Sequence, residues 1–301
     1  MEGWTSTRVL RPDDTSLFVT SAGAPGPSGF LLCDGVGCDG FAWRYLAPTL
    51  CERGPVVHPH YRGHGQSSLA GGVPRDRYEP GAGDGYAIPT LAEDLLAALD
   101  AANVERAVVI GHSMGVQVAL EVALTAPERV SGLVLVCGSY GRPLDTVGDT
   151  DTLRRTLPLI RAFAERFAGP ITEIVSRVLP TELAWQIARL FAVDGRLMQR
   201  EDLIAYLQHM ASIDPRVFLE TLDEAGKHTT EDRLSQIRVP TLVVGGELDA
   251  FTPYWVSEVM ARRIEGAELH MIRGGTHTAT LEQHELFGRL VVDFLARNGL
   301  P

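Results

Sequence analysis

Apolar positions along this chain fall into short, nearly unbroken runs separated by stretches with a helical period. TRVL (7–10), SLFVT (16–20) and FLLCD (30–34) read as strands, the last apolar on both faces, with the turn APGPSG (24–29) before it. WRYLAPTLCERG (43–54) is helical and closed by Gly54, and PVVHPHYRGHGQS (55–67) is a strand running into a glycine loop. Residues 70–87, rich in Gly, Pro and Asp, read as an exposed loop. In PTLAEDLLAALDAANV (89–104), Leu91, Leu95, Leu96 and Leu99 share one helical face behind Pro89 and Thr90. RAVVIGH (106–112) and LVLVC (133–137) are buried strands flanking the helix SMGVQVALEVALTAP (113–127). Strands apolar on both faces, alternating with helices, predict a mostly parallel sheet covered by helices on both sides.

The rhythm breaks near residue 141. Up to about 230 no strand-like run occurs, and helical faces follow one another: Leu153, Leu157, Ile160, Phe163, Ala164 and Phe167; Ile171, Ile174, Val175, Val178 and Leu179; Leu183, Ile187, Leu190 and Phe191; Leu203, Ile204, Leu207 and Met210. Strands then return at 240–249 and 268–275, with helices at about 253–264 and 280–297. The prediction is one α/β core, residues 1–140 and 231–301, interrupted by a helical insertion over 141–230.

Composition narrows the partners. The 301 residues are 45% hydrophobic and 22% charged, enough for a large buried core. A net charge of −11 repels nucleic acid and anionic lipid, so neither is an expected partner. The start of the chain lacks the pattern of a secretory signal, and no apolar run reaches the ~18 residues of a membrane span. Cys33, Cys38, Cys51 and Cys137 form no CxxC pair and read as free thiols of a cytoplasmic protein.

The chemistry is carried by VVIGHSMGVQ (108–117), which holds G-x-S-x-G between a predicted strand and a predicted helix. A sharp turn there presents the Ser113 hydroxyl above the sheet edge, and Gly111 and Gly115 remove side chains that would collide. The Met114 N–H, at the helix start, faces where an oxyanion would form. A serine hydroxyl needs a base, and the chain order of this motif is Ser, then acid, then His. His277, in RGGTHTATLEQHELF, is the candidate base, and Asp249, in VVGGELDAFTP, the candidate acid, with Glu247 in reserve. All three follow strands, at the edge where open α/β sheets carry their sites.

These motifs are similar to those of the α/β-hydrolase superfamily, over nearly the whole length outside residues 141–230. GHSMG resembles its nucleophile elbow, GELDAFTP its acid loop, GGTHTATLEQHELF its histidine loop and HYRGHGQS its arginine–glycine loop. CDGVG (33–37) occupies the place of the oxyanion loop, usually His-Gly-x, which implies Val36 as the second oxyanion N–H, with Gly35 before it and His112 near the site. The helical insertion falls where many members carry a substrate cap. The resemblance implies a cofactor-free, metal-free serine hydrolase acting on a small ester or lactone. The same triad would also serve carbon–carbon bond hydrolysis, acyl transfer or perhydrolysis resembling the non-metal haloperoxidases, and a ligand-binding protein with a vestigial triad is a third possibility.

Two positions depart from that pattern. Asp34 stands where the family has His, and His60 falls near the place of a frequent Asp. The exchange suggests that Asp34 and His60 lie close and share a supporting hydrogen bond; the rival role for Asp34 is to protonate or position substrate. A metal site from Asp34, Asp39, His58, His60 and His64 matches no known ligand spacing. For the substrate pocket the aromatic candidates are Phe41, Trp43, Phe163, Phe167, Trp185 and Phe191, with Met210.

Overall fold

The structure is a computed structural model that describes residues 3–81, 83–146, 152–178, 181 and 198–301. Eight strands form one sheet: β1 (Thr5–Leu10), β2 (Ser16–Ala22), β3 (Ser28–Cys33), β4 (Val56–Pro59), β5 (Arg106–His112), β6 (Val130–Val136), β7 (Thr241–Gly246) and β8 (Glu268–Ile272). Their spatial order is β1-β2-β4-β3-β5-β6-β7-β8. β1 and β2 are antiparallel to their neighbours, and from β4 to β8 every pairing is parallel. After β3 the chain moves outward to β4; after β5 it moves the other way, to β6. The strand order therefore reverses between β3 and β5, and the loops leaving these two strands border the crevice where such sheets bind ligands.

Alternation along the strands builds two apolar layers. Leu31, Val57, Val109 and Leu135 pack beneath α2 (Ile88–Ala101) and α3 (Met114–Thr125), against Leu91, Leu95 and Val116. Phe30, Leu32, Ile110 and Val134 face the other way, against Trp43, Leu50 in α1 (Ala47–Cys51) and Phe287 and Phe294 in the last helix. Both faces are dry, which is why the strands read as continuous apolar runs.

Between β6 and β7 lie α4 (Thr152–Val178), α5 (Arg200–Ser212) and α6 (Pro215–Lys227). The first predicted helical face and the second as far as Val178 belong to one helix, α4, kinked at Phe167 (φ −124°, ψ 25°) ahead of Pro170, and Leu179 lies outside the described residues. The third predicted helix lies outside the described residues. Helix α6 was not predicted as a separate element. Asp214 caps it by accepting a hydrogen bond from the Arg216 N–H, and Pro215 occupies its first turn. Beyond β7 come α7 (Tyr254–Arg263), α8 (Ala279–Glu282) and α9 (His284–Arg297). The predicted closing helix is thus broken at Gln283 (φ −127°, ψ 45°). Among the described residues no helix is long and apolar enough to cross a membrane.

Buried charges tie these layers together. Arg62, in the glycine loop after β4, donates from Nε and Nη2 to Asp94 on α2 (2.5 and 2.9 Å) and from Nη1 to Asp13. Glu121 on α3 accepts from His228 Nε2 (3.0 Å) and Arg233 Nη2 (2.7 Å), fastening the segment that leads into β7. Burial would raise the Glu121 pKa; the hydrogen bonds from His228 and Arg233 and their charge outweigh it, lowering the pKa from the ordinary 4.5 to about 2. A carboxylate whose folded pKa lies below its unfolded value stabilises the fold fully above about pH 4.5, and that contribution disappears as pH falls through about 2. Glu121→Gln is therefore expected to lower the urea midpoint at neutral pH, with its deficit shrinking toward the acid end of that range. A deficit independent of pH would show that the ion pairs contribute nothing.

Candidate active site

Ser113 joins β5 to α3 in a backbone conformation that few side chains adopt (φ 57°, ψ −122°). Such strain costs on the order of 1–3 kcal/mol and persists only where the surroundings enforce it. Here they do. A Cβ on Gly115 would lie 2.0 Å from the Cys33 carbonyl oxygen, and one on Gly111 would lie 2.4 Å from that of Gly115. The first turn of α3 is pressed onto the end of β3, and only glycine fits.

Ser113 Oγ is 2.9 Å from His277 Nε2, in the loop after β8. His277 Nδ1 donates to Asp249 Oδ2 at 2.9 Å and to Oδ1 at 3.1 Å. Asp249, in the loop after β7, is buried and accepts further hydrogen bonds from the Phe251 and Thr252 N–H groups (both 2.9 Å) and from Thr252 Oγ1 (2.7 Å). Burial alone would raise its pKa; the adjacent His277 and the Thr252 hydrogen bonds overcome that and hold it below the ordinary carboxylate value. It thus stays ionised, fixing the tautomer that leaves Nε2 free to accept the serine proton. Glu247 is directed elsewhere, accepting from the Gly274 N–H at 2.7 Å. His112 sits behind the pair and donates from Nε2 to the His277 carbonyl (2.9 Å). Burial, and then the charge of His277, lower the His112 pKa to about 4, so it remains neutral. Glu282 accepts from the Thr276 N–H (3.0 Å) and hydroxyl (2.7 Å) and braces the same loop.

The loop after β3 lies directly against Ser113: a Cβ on Gly35 would be 3.1 Å from that of the serine. The Val36 and Met114 N–H groups donate to no acceptor among the described residues. Asp34 differs from the sequence expectation. Its carboxylate accepts from Trp43 Nε1 (2.7 Å) and pairs with His58 Nε2 (2.7 Å), not with His60. His60 lies beyond the end of β4, where its Nδ1 accepts the Gln66 N–H at 3.0 Å. Burial and the neighbouring His58 lower its pKa to about 4. His64 donates from Nδ1 to the Arg62 carbonyl (2.8 Å). No group of three or more His, Cys, Asp or Glu among the described residues could hold a metal ion.

A cavity of about 440 Å³ opens above Ser113 and His277. Of the predicted pocket residues, Phe41 and Met210 line it. Trp43 does not; it is buried in the core with its indole N–H on Asp34. Phe163 is 59% exposed and packs against Phe167 instead of lining the cavity. Trp185 and Phe191 lie outside the described residues. Leu144, Phe218, Leu222 and Phe251, none of them among the expected pocket residues, supply much of the wall. Phe218 and Leu222 come from α6, and the D-P capping signal at 214–215 was the available clue to that helix.

A parallel sheet with a serine–histidine–aspartate relay at its carboxyl edge, facing an apolar cavity, defines the class. The chain matches the alpha/beta hydrolase fold family over residues 30–283 and belongs to it. It is 31% identical, over 71% of its length and 70% of the relative's, to 2-hydroxy-6-oxononadienedioate/2-hydroxy-6-oxononatrienedioate hydrolase of Paraburkholderia xenovorans. Two solved structures share the fold: the enol-lactonase from Burkholderia xenovorans (TM-score 0.73, 20% identity, 96% of this chain and all of that one) and the bromoperoxidase from Bacillus anthracis (TM-score 0.75, 18% identity, 97% of this chain and all of that one).

Asp34 does not line the cavity, and its two bonds hold the loop to the sheet and to Trp43. Asn at this position can accept only one of the two hydrogen bonds. Asp34→Asn is expected to cost about 1–3 kcal/mol of stability in urea unfolding while leaving the acidic limb of the kcat/KM profile in place. Intact stability with a displaced acidic limb would instead make Asp34 an acid in the reaction.

Proposed function

We propose that the protein is a cofactor-free serine hydrolase of small, neutral carboxylic esters or lactones. The observation that carries this reading is the unbroken Ser113–His277–Asp249 hydrogen-bond relay opening into an apolar cavity. Ser113 Oγ attacks the carbonyl carbon as His277 Nε2 takes its proton, and the developing oxyanion is held by the Val36 and Met114 N–H groups. His277 then protonates the departing alkoxide, and water activated by the same nitrogen releases the acid. The segment 141–230 acts as a cap, since Leu144 and the side chains of α5 and α6 roof the cavity. Four unpaired thiols suit a reducing compartment such as the cytoplasm.

The name of the Paraburkholderia relative favours a second reading, hydrolysis of an oxo-dicarboxylate. Among the described residues that line the cavity there is no Arg or Lys, and a dianion set against those residues would be desolvated without a partner. Neutral esters and lactones fit better.

Expected outcomes are labelling of Ser113 by a fluorophosphonate and turnover of p-nitrophenyl esters and lactones. Ser113→Ala should lower kcat by at least ~10⁴-fold. Ester turnover surviving in Ser113→Ala, or a wild type that cleaves only the dicarboxylate, would overturn this reading.

A further inference from the structure

The segment that leaves the proposed oxyanion loop runs along one face of α5 in antiparallel register. Asp202 accepts from Arg44 and from the Tyr45 hydroxyl (2.9 Å). One turn on, Tyr206 stacks on Phe41, with ring centroids 4.5 Å apart and planes 25° apart. Next, His209 Nδ1 is 2.9 Å from Asp39 Oδ2. Last, Met210 reaches Gly37 (φ +78°), where a Cβ would lie 3.4 Å from Met210 Cγ and 3.1 Å from Phe218 Cε2. Tyr206 and Met210 also line the cavity. One helix therefore walls the substrate cavity and backs the loop.

The His209–Asp39 bond is unusual among these contacts. His209 is buried, and its Nε2 has no partner among the described residues. A buried imidazole with one nitrogen unsatisfied costs stability that an apolar side chain would not. What it supplies in return is a close contact with a carboxylate three residues from Val36. Asp39 is held ionised: burial would raise its pKa, but the hydrogen bond from His209, with the charges of His209, His60 and His58, lowers it. At the other end of the loop Asp34 is anchored to His58 and Trp43. The Val36 N–H thus sits between two fixed points, one on the sheet and one on α5.

We propose that Asp39 and His209 are positioning residues for the hydrolysis: their close pairing fixes the loop carrying the Val36 N–H against the helix that walls the substrate cavity. This rests on Val36 being an oxyanion donor in the reaction proposed above. Misplacing such a donor weakens the transition state more than the bound substrate, so the loss falls on kcat.

The test uses Asp39→Ala, His209→Phe, the double variant, and the conservative Asp39→Asn and His209→Asn, each of which keeps a group able to make the bond. Tyr45→Phe, which removes a hydrogen bond at the far end of the same helix, reports on docking of α5 alone. Active sites are counted by fluorophosphonate titration, so a partly unfolded preparation does not lower the measured kcat. Expected are a kcat on p-nitrophenyl butyrate reduced ~10–100-fold in Asp39→Ala and His209→Phe, with KM near wild type. The double variant should be no worse than either single one, and the conservative variants should recover most of the rate. Affinity for an alkylboronic acid, whose adduct with Ser113 places an oxygen in the oxyanion site, should fall by the same factor as kcat. Unchanged kcat per active site, a rise in KM alone, additive losses, or an equal loss in Tyr45→Phe would overturn the proposal. If wild-type Ser113 takes no fluorophosphonate, the serine-hydrolase reading falls and this one with it; if it labels and Asp39→Ala keeps its kcat, only this one falls.

Discussion

The site depends on a single steric constraint, the contact between the start of α3 and the end of β3. With 2.0 Å between a hypothetical Gly115 Cβ and the Cys33 carbonyl, the two elements touch backbone to backbone. That contact forces the turn at Ser113, and the turn stores strain the sheet must supply. It also brings the loop after β3 onto Ser113, so one packing event sets the hydroxyl and the neighbouring N–H groups together. The reversal of strand order at β3 and β5 puts this contact in the middle of the sheet, where both apolar layers resist relaxation.

Around that contact, buried acids serve as local braces. Asp94 holds Arg62, Glu121 holds Arg233 and His228, Asp34 holds Trp43 and His58, and Asp249 holds His277. Each is paired within its own neighbourhood, as buried charge requires. The net charge of −11 is therefore a property of the surface and says little about the cavity. Of these four, only Asp249 is bonded to a side chain that touches the serine.

Features legible in the sequence were those set by a few adjacent residues. Apolar runs marked the central strands, and the strand–helix setting of GHSMG marked Ser113. The loops after β7 and β8 offered Asp249 and His277, which the fold brings to within hydrogen-bonding distance of one another and of Ser113. The partner of Asp34 was not legible, because it depends on where β4 stops. His58 is inside the strand and faces Asp34; His60 lies past Pro59 and is captured by the backbone of the glycine loop. Trp43 is ambiguous in the sequence because an indole suits a cavity and a core equally well, and only the third dimension reveals its N–H bonded to Asp34. Helix α6 was legible in principle: Val217, Phe218, Leu222 and Ala225 fall on one helical face behind the Asp214–Pro215 cap, with the buried polar Glu220 and Thr221 interleaved.

The cavity's composition bears on what kind of selectivity to expect. Among the described residues its wall is mostly apolar, with Gln117, Ser139 and Tyr206 as polar groups beyond the relay. An apolar wall separates substrates that differ by one methylene by only about 1–3 kcal/mol, whereas a buried polar group left unpaired discriminates far more strongly. Recognition here should rest on shape and on exclusion of charge. On the function proposed above, chemistry and selectivity would fall to different parts of the chain: the sheet edge holds the Ser113–His277–Asp249 hydrogen bonds, and the described helices between β6 and β7 supply much of the cavity wall. Helix α5 belongs to both, since it contributes Tyr206 and Met210 to the wall and His209 to the loop beside the serine. On the function proposed above, a substrate that displaced α5 would also disturb that loop, which would limit how far the cavity could adapt without loss of rate.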